Sequence, residues 1–220
     1  MERWVRVRIV FGKRGRLRFL GQLDLGRTLE RALRRSGVGA RFTEGFNPRV
    51  RMSFPCASPT GMASSCEIVE IHVRAPAGPA EVLERVGGAL PPDLPVLHAE
   101  EVPEGERLLV DAATYEVRGR SGGPGLPAAG EAAALLDRET VPVERRGKRV
   151  DLRPLLQEVR REAEVLRLRI GFREGGATAR PEDVIGALGA DPRGFLYERT
   201  GMRVRLHGGG APAREAAYGA

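Results

Sequence analysis

Val5-Arg6-Val7-Arg8-Ile9-Val10-Phe11 is the stretch whose reading decides the fold. Apolar side chains at 5, 7, 9 and 11 share one parity and Arg6 and Arg8 the other, which predicts a strand over about residues 4–11 with one face on a core. Gly12-Lys13-Arg14-Gly15 is a turn. Beyond it Leu17 and Phe19 alternate with Arg16 and Arg18, so a short extended segment carries the same basic face onward. Asp24 stands where a helix N-cap should, followed at helical spacing by Leu25, Leu29, Ala32 and Leu33, and Gly37 stops the helix. Its outer face holds Arg27, Arg31, Arg34 and Arg35, with Glu30 placed to pair with Arg34.

Further out, Gly39 to Phe42 is extended, and Gly45-Phe46-Asn47-Pro48-Arg49-Val50-Arg51-Met52-Ser53-Phe54-Pro55 supplies a turn and a strand. Arg49 and Arg51 alternate there with Val50 and Met52, a shaped basic edge. Cys66, Ile68, Val69, Ile71 and Val73 make another strand. Pro79 to Leu90 is helical, ended by Pro91-Pro92. Leu94 to Val102 is a last extended piece. The order strand, helix, strand, strand, helix, strand is the ferredoxin-like βαββαβ pattern.

The second half repeats this order. Tyr115 to Arg118 is a strand, Gly119 to Pro127 a loop, Ala128 to Leu136 a helix, and Val141 to Leu152 a strand or hairpin around Arg146-Gly147. Ala163 to Phe172 is extended. Glu174-Gly175-Gly176-Ala177-Thr178 lacks the Gly-Lys-Ser/Thr ending of a phosphate loop and reads as a turn. Pro181 opens a helix, and Phe195 to Val204 closes the unit. The expected class is therefore α+β, with two tandem ferredoxin-like units at 1–103 and 114–206, antiparallel sheets, and helices on one face. Residues 207–220 have too few core-forming side chains to order themselves and read as a flexible tail.

The chain has 220 residues and a net charge of +7, unevenly placed. Residues 1–75 hold 15 Lys/Arg against 6 Asp/Glu, whereas the rest hold 21 against 23. A basic first third suits a polyanion, nucleic acid before an anionic membrane surface. The charge also has a compositional reading. Lys13 and Lys148 are the only lysines, as a GC-rich coding sequence would produce. No RNP-type aromatic signature marks the strands, which counts against ordinary base stacking on an RRM. Two cysteines and three scattered histidines give no zinc-type spacing, so no metal is expected. Cys56 and Cys66 read as small buried residues in a reducing cytoplasm, and no run reaches the ~20 apolar residues of a membrane span.

The polar residues expected to converge in the first unit are Asp24, Glu44, Asn47, Arg49 and Arg51, with Arg16 and Arg18 extending the basic face. Arg49 and Arg51 on a twisted edge could grip successive phosphates. Asp24 and Glu44 are the carboxylates an acid–base role would need, although Asp24 also serves as a cap. Asn47 before Pro48 is ordinary turn chemistry. No nucleophile, base and orienting residue can be picked out together.

The runs Gly15-Arg16-Leu17-Arg18-Phe19-Leu20-Gly21-Gln22-Leu23-Asp24-Leu25, Leu29 to Gly37 and Glu44-Gly45-Phe46-Asn47-Pro48 resemble the bacterial radical SAM-linked protein family. So do the later blocks Val150 to Leu155, Arg180 to Val184 and Arg199-Thr200-Gly201-Met202. The resemblance implies a domain of unknown function found beside or fused to B12-binding-type radical SAM proteins. It implies an accessory, substrate-binding role, with the iron–sulfur cluster and S-adenosylmethionine carried by the radical SAM partner and no cofactor held by this chain. RNA is the substrate that the basic first unit suggests. The alternatives are a stand-alone RNA-modifying or RNA-processing enzyme using Asp24 or Glu44, and a protein-interaction scaffold. In the family the position of Gln22 is commonly His, and another His commonly stands at Arg49. Both are absent here, which weakens histidine catalysis and leaves an arginine site intact.

Overall fold

A computed structural model describes residues 2–145, 147–173, 178–208 and 211–219, the last stretch without side chains for 211–214. It is a mixed α+β structure, mostly antiparallel in its strands and 24 % helical. Two compact units divide it: Met1–Leu109 with Arg205–Tyr218, and Val110–Val204 with Gly219–Ala220.

In the first unit β1 (Trp4–Lys13) is central, flanked by β3 (Ala63–Arg74) and β4 (Val96–Glu101), with the short β2 (Met52–Ser53) on the far side of β3. Every pairing is antiparallel, giving the order β4-β1-β3-β2. The register sets Val7 opposite Ile71 and Ile9 opposite Val69. Their parity carries the core. Val5, Val7, Ile9, Phe11, Val69, Ile71 and Val73 pack against Leu25, Leu29, Ala32 and Leu33 of α1 (Gln22–Ser36) and Val82 and Val86 of α2 (Pro79–Ala89). Each such side chain stabilises by roughly 1.5–3 kcal/mol on burial, which fixes the sheet register because a one-residue slip would turn the whole set outward.

Two local expectations change. Helix α1 begins at Gln22 with Gly21 as its N-cap, so Asp24 lies within the first turn instead of capping it. Arg16 and Arg18 sit on a 3-10 turn, Gly15–Phe19, not on an extended segment. That turn has no buried residue, and no neighbouring strand holds it extended. The C-terminal end of α1 follows the sequence, closing at Gly37 in the left-handed conformation with φ 69°.

In the second unit β5 (Arg107–Gly119, of which 110–119 belong here) pairs with β9 (Val165–Gly171), and β9 with β8 (Leu156–Glu162). The segment of β10 (Phe195–Gly208) belonging to this unit continues the order β10-β5-β9-β8. Helices α3 (Ala129–Ala134) and α4 (Pro181–Ala187) connect these strands, and β6 (Pro142–Arg145) with β7 (Lys148–Asp151) forms a separate two-stranded ribbon. Arg146, at the turn expected between β6 and β7, and residues 174–177, read from sequence as a turn, lie outside the described residues.

Residues 207–220, read from composition as a flexible tail, instead contain the end of β10 and β11 (Ala211–Gly219), which pairs with β10. The edge of β10 offers a row of backbone partners that the composition of the segment does not reveal. Tyr218 adds a side-chain anchor in the first unit, where its hydroxyl donates to Glu100 and accepts from Arg8 Nη1 at 2.9 Å. No helix among the described residues is long and apolar enough to cross a membrane.

Candidate functional site

The parity of β1 that does not enter the core is where the charge collects. Register pairs Trp4 with Arg74, Arg6 with His72 and Arg8 with Glu70, so these six side chains lie on the face opposite α1 and α2. Residues 40–51 add to this row. Ala40 bridges Val73, Arg41 N–H donates to the His72 carbonyl at 2.8 Å, and Arg51 N–H donates to the Arg41 carbonyl at 2.8 Å. Phe42 bridges Val50, and Thr43 N–H donates to the Arg49 carbonyl, so 41–51 is a narrow hairpin with Glu44–Asn47 at its exposed tip.

The two ends of this face differ in charge balance. Toward β4, Arg8 is 1 % exposed and wholly committed. Its Nη2 meets Glu70 at 2.8 Å and Glu106 at 3.0 Å, and its Nη1 meets Glu100 at 2.9 Å. Burial works against its charge, but the surrounding groups, led by Tyr218 and Glu70, more than offset that and hold the proton on. Arg6 also bonds Glu70 and donates to the Glu106 carbonyl. This end is structural.

At the other end the cations outnumber their acids. Arg41 and Arg51 make no ion pair among the described residues. Both press on His72, whose basicity is lowered first by burial and then by Arg51, Arg6 and Arg41. Arg6 faces His72 across the β1–β3 ladder, Arg41 N–H donates to its carbonyl and Arg51 N–H to that of Arg41, so the three arginines gather around it. Trp4 stands beside them, half-buried, with the guanidinium carbons of Arg41 and Arg74 at 5.5 and 5.8 Å from its ring centre. A cleft of about 1050 Å³ opens beside Trp4, and its lining includes Arg41 and Arg74 together with Leu33, Arg34 and Phe42. Arg34 lies over Phe42 at 4.5 Å.

The residues expected from sequence fall into three places. Arg51 joins the sheet-face group. Arg49 and Asn47 belong to the hairpin, and Arg49 Nη1 reaches Glu30 Oε2 at 3.5 Å, while Glu30 Oε1 takes Arg34 at 2.8 Å, the pair foreseen from i,i+4 spacing. These two cations draw the Glu30 carboxyl below its usual range, Arg34 first. Arg16, Arg18 and Asp24 lie at the N-terminal end of α1, where Asp24 is exposed and pairs with Arg27 at 3.1 Å. Asp24 and Arg34 are ten residues apart on one helix, roughly 15 Å, so Asp24 and the cleft-lining Glu44 are not brought together.

Gln22 has a local task. Its Oε1 accepts from Ser58 N–H at 2.8 Å, while Lys13 Nζ donates to the Pro59 carbonyl at 2.6 Å and Gly61 N–H to the Arg18 carbonyl at 2.8 Å. The Pro55–Gly61 segment is thus tied to the start of α1. Cys66 is buried and Cys56, expected to be buried too, is only half-buried, and among the described residues no group of three or more His, Cys, Asp and Glu side chains is disposed to hold a metal ion.

The residues that sequence reasoning did not single out are Trp4, Arg6, Arg41, His72 and Arg74. Their shared parity was legible within each strand, but their meeting depends on the register between strands.

Residues 6–181 match the bacterial family described as an uncharacterized protein conserved in bacteria, DUF2344, and the chain belongs to that family. No curated protein matches the sequence.

Proposed function

We propose that this protein binds RNA on the sheet face of its first unit and acts in the cytoplasm as the accessory, substrate-binding partner of a radical SAM enzyme. The observation that carries the RNA reading is the convergence of Arg6, Arg41 and Arg51 on His72 beside Trp4, with no acidic partner for Arg41 or Arg51 among the described residues. Guanidiniums without carboxylate partners are suited to phosphates, and an aromatic side chain among them suits a base. The partner reading rests on the resemblance of the Gly15–Leu25 and Glu44–Pro48 runs to the radical SAM-linked family. In it this chain binds no cofactor, and the enzyme brings the iron–sulfur cluster and S-adenosylmethionine.

We read both units as ferredoxin-like. The antiparallel order β4-β1-β3-β2 with both helices on one face supports this for the first, and β10-β5-β9-β8 supports it for the second, with β6 and β7 as an insertion. Asp24 is exposed and paired with Arg27, away from the cleft, which leaves Glu44 as the carboxylate a stand-alone enzyme would use there.

Fluorescence anisotropy with labelled single-stranded RNA at rising salt tests the first part. Binding that weakens with salt is expected, and absent or salt-insensitive binding overturns it. Affinity purification from the native host tests the second, with a radical SAM protein expected among the retained proteins and its absence contradicting the partnership. Incubation of RNA with the purified chain should leave every nucleotide unchanged; turnover would establish a stand-alone enzyme instead.

A further inference from the structure

We infer that the cleft beside Trp4 is a subsite for one unpaired nucleobase, which makes the ligand single-stranded RNA with a base turned out of any stack. The inference rests on the reading of the first unit as an RNA-binding surface and adds what the cleft selects. Its lining differs from the neighbouring patch in charge. Arg34, Arg41 and Arg74 are matched there by Glu2, Glu44 and Glu81, so the walls are formally neutral. Arg74 pairs with Glu2 at 3.0 Å and Arg34 with Glu30 at 2.8 Å. Carboxylates facing a cavity repel phosphate, whereas they accept from the N–H groups on the edge of a base.

A volume of about 1050 Å³ is more than one base fills and leaves room for its ribose and flanking chain, so the chemistry of the lining carries the assignment. The flat groups lining the cleft are the ring of Trp4 with the guanidiniums of Arg41 and Arg74, and the ring of Phe42 with the guanidinium of Arg34. Aromatic and guanidinium planes are the surfaces on which proteins stack unpaired bases. Glu44, exposed at the hairpin tip and lining the cleft, makes no ion pair among the described residues and is placed to accept from the base edge. A neighbouring phosphate then falls to Arg51, which is not among the lining residues, with Arg41 shared between the cleft and that patch.

Trp4 is the only tryptophan of the chain, so its emission reports this cleft alone. The full-length protein is titrated with a short single-stranded RNA, with an abasic ribose-phosphate strand of equal length, and with the same RNA as a blunt duplex, following anisotropy and Trp4 emission together. All three should bind with salt dependence, but only the base-bearing single strand should quench Trp4. Trp4→Ala should lower affinity for that strand by about ten-fold and leave the abasic strand unaffected, whereas Trp4→Phe should retain most of the preference. Salt-dependent binding with Trp4 emission unchanged, or equal quenching by all three, overturns the base subsite and leaves RNA binding standing. Failure of every strand to bind overturns the RNA reading itself. Circular dichroism of both variants, matching the wild type, establishes that the fold is intact.

Discussion

Replacing Arg8 with Met tests how the first unit is held together. Arg8 is 1 % exposed, and its guanidinium serves Glu70 at 2.8 Å, Glu100 at 2.9 Å, Glu106 at 3.0 Å and the Tyr218 hydroxyl at 2.9 Å. Met fills similar volume without charge, so the loss is electrostatic. Removing one partner of a buried pair costs about 3–5 kcal/mol, because the remaining charge stays in a poor solvent. Glu70 and Glu106 are each only 5 % exposed as side chains, so they carry most of that cost, and Glu100, at 33 %, the least. Arg6 still faces Glu70 and softens the effect there. The Arg8→Met variant should therefore unfold roughly 6–20 °C below the wild type at neutral pH, followed by circular dichroism.

The pH dependence makes this prediction specific. Burial pushes the Glu100 carboxyl up, and the hydrogen bonds from Tyr218 and Arg8 outweigh it, leaving its pKa below the ordinary 4.5. A depressed carboxylate contributes stability above its unfolded pKa and loses it as pH falls through the folded one. The wild type should thus lose this contribution on acidification below about pH 4.5, while the variant, keeping the Tyr218 hydrogen bond but not the Arg8 contacts, should lose less. The gap between the two melting curves should hold from pH 7 down to about pH 4.5 and narrow below it. A variant as stable as the wild type, or a gap that does not change with pH, would refute the reasoning.

Other outcomes follow from the same geometry. Tyr218→Phe removes a hydroxyl shared by Arg8 and Glu100 and should cost about 1–3 kcal/mol, with faster proteolysis of the C-terminal strand. Its hydroxyl is pushed up to about 12, first by burial and then by the Glu100 hydrogen bond, so in the wild type it contributes stability that is present below about pH 10 and lost as pH rises through about 12, a loss the variant should not show. Gly37→Ala meets nothing nearer than Arg85 Nη1 at 4.0 Å and should cost only the left-handed strain, about 1 kcal/mol. Gly208→Ala places its Cβ 2.4 Å from the Gly105 carbonyl oxygen and should cost more; the reverse ranking in urea unfolding contradicts the described turn. His72, with its pKa lowered by burial and by Arg51, Arg6 and Arg41, is neutral at pH 7. Its contribution to stability is present above the ordinary 6.5 and falls as acid forces protonation. Arg51→Ala should raise the His72 pKa in an NMR titration, and an unchanged value would separate the two residues.

The first unit was legible wherever burial alternates strictly. In β1 and β3 the core parity survives over long strands, and α1 shows its apolar stripe at 25, 29, 32 and 33. The 3-10 turn at Gly15–Phe19 was misread because Arg-Leu-Arg-Phe alternates like a strand although none of its residues is buried. Strand β8 left no period-2 signal. Its buried Leu156 and Val159 are three apart, since the pairing with β9 shifts between Leu156 and Glu158. Strand β11 is Ala-rich, and what orders it, the edge of β10 and the Tyr218 anchor, lies outside its own sequence pattern.

The basic edge at Arg49 and Arg51 was visible as a pattern, yet the two arginines part company. Arg49 turns to Glu30, and Arg51 joins residues from β1, β3 and the hairpin that lie far from it in sequence. A single chain read in order holds no signal for Trp4 meeting Arg41 and Arg74. That meeting requires the register of β1 on β3 and the bridge of Ala40 to Val73.

The central claim is that Arg41 and Arg51 on this sheet face contact RNA phosphates, and the slope of log affinity against log salt tests it most directly. Each phosphate contact to a single strand contributes about 0.7 to that slope. The joint Arg41→Ala, Arg51→Ala variant should therefore bind single-stranded RNA more weakly, with a slope shallower by about 1.4. An unchanged slope in a correctly folded variant would contradict the account.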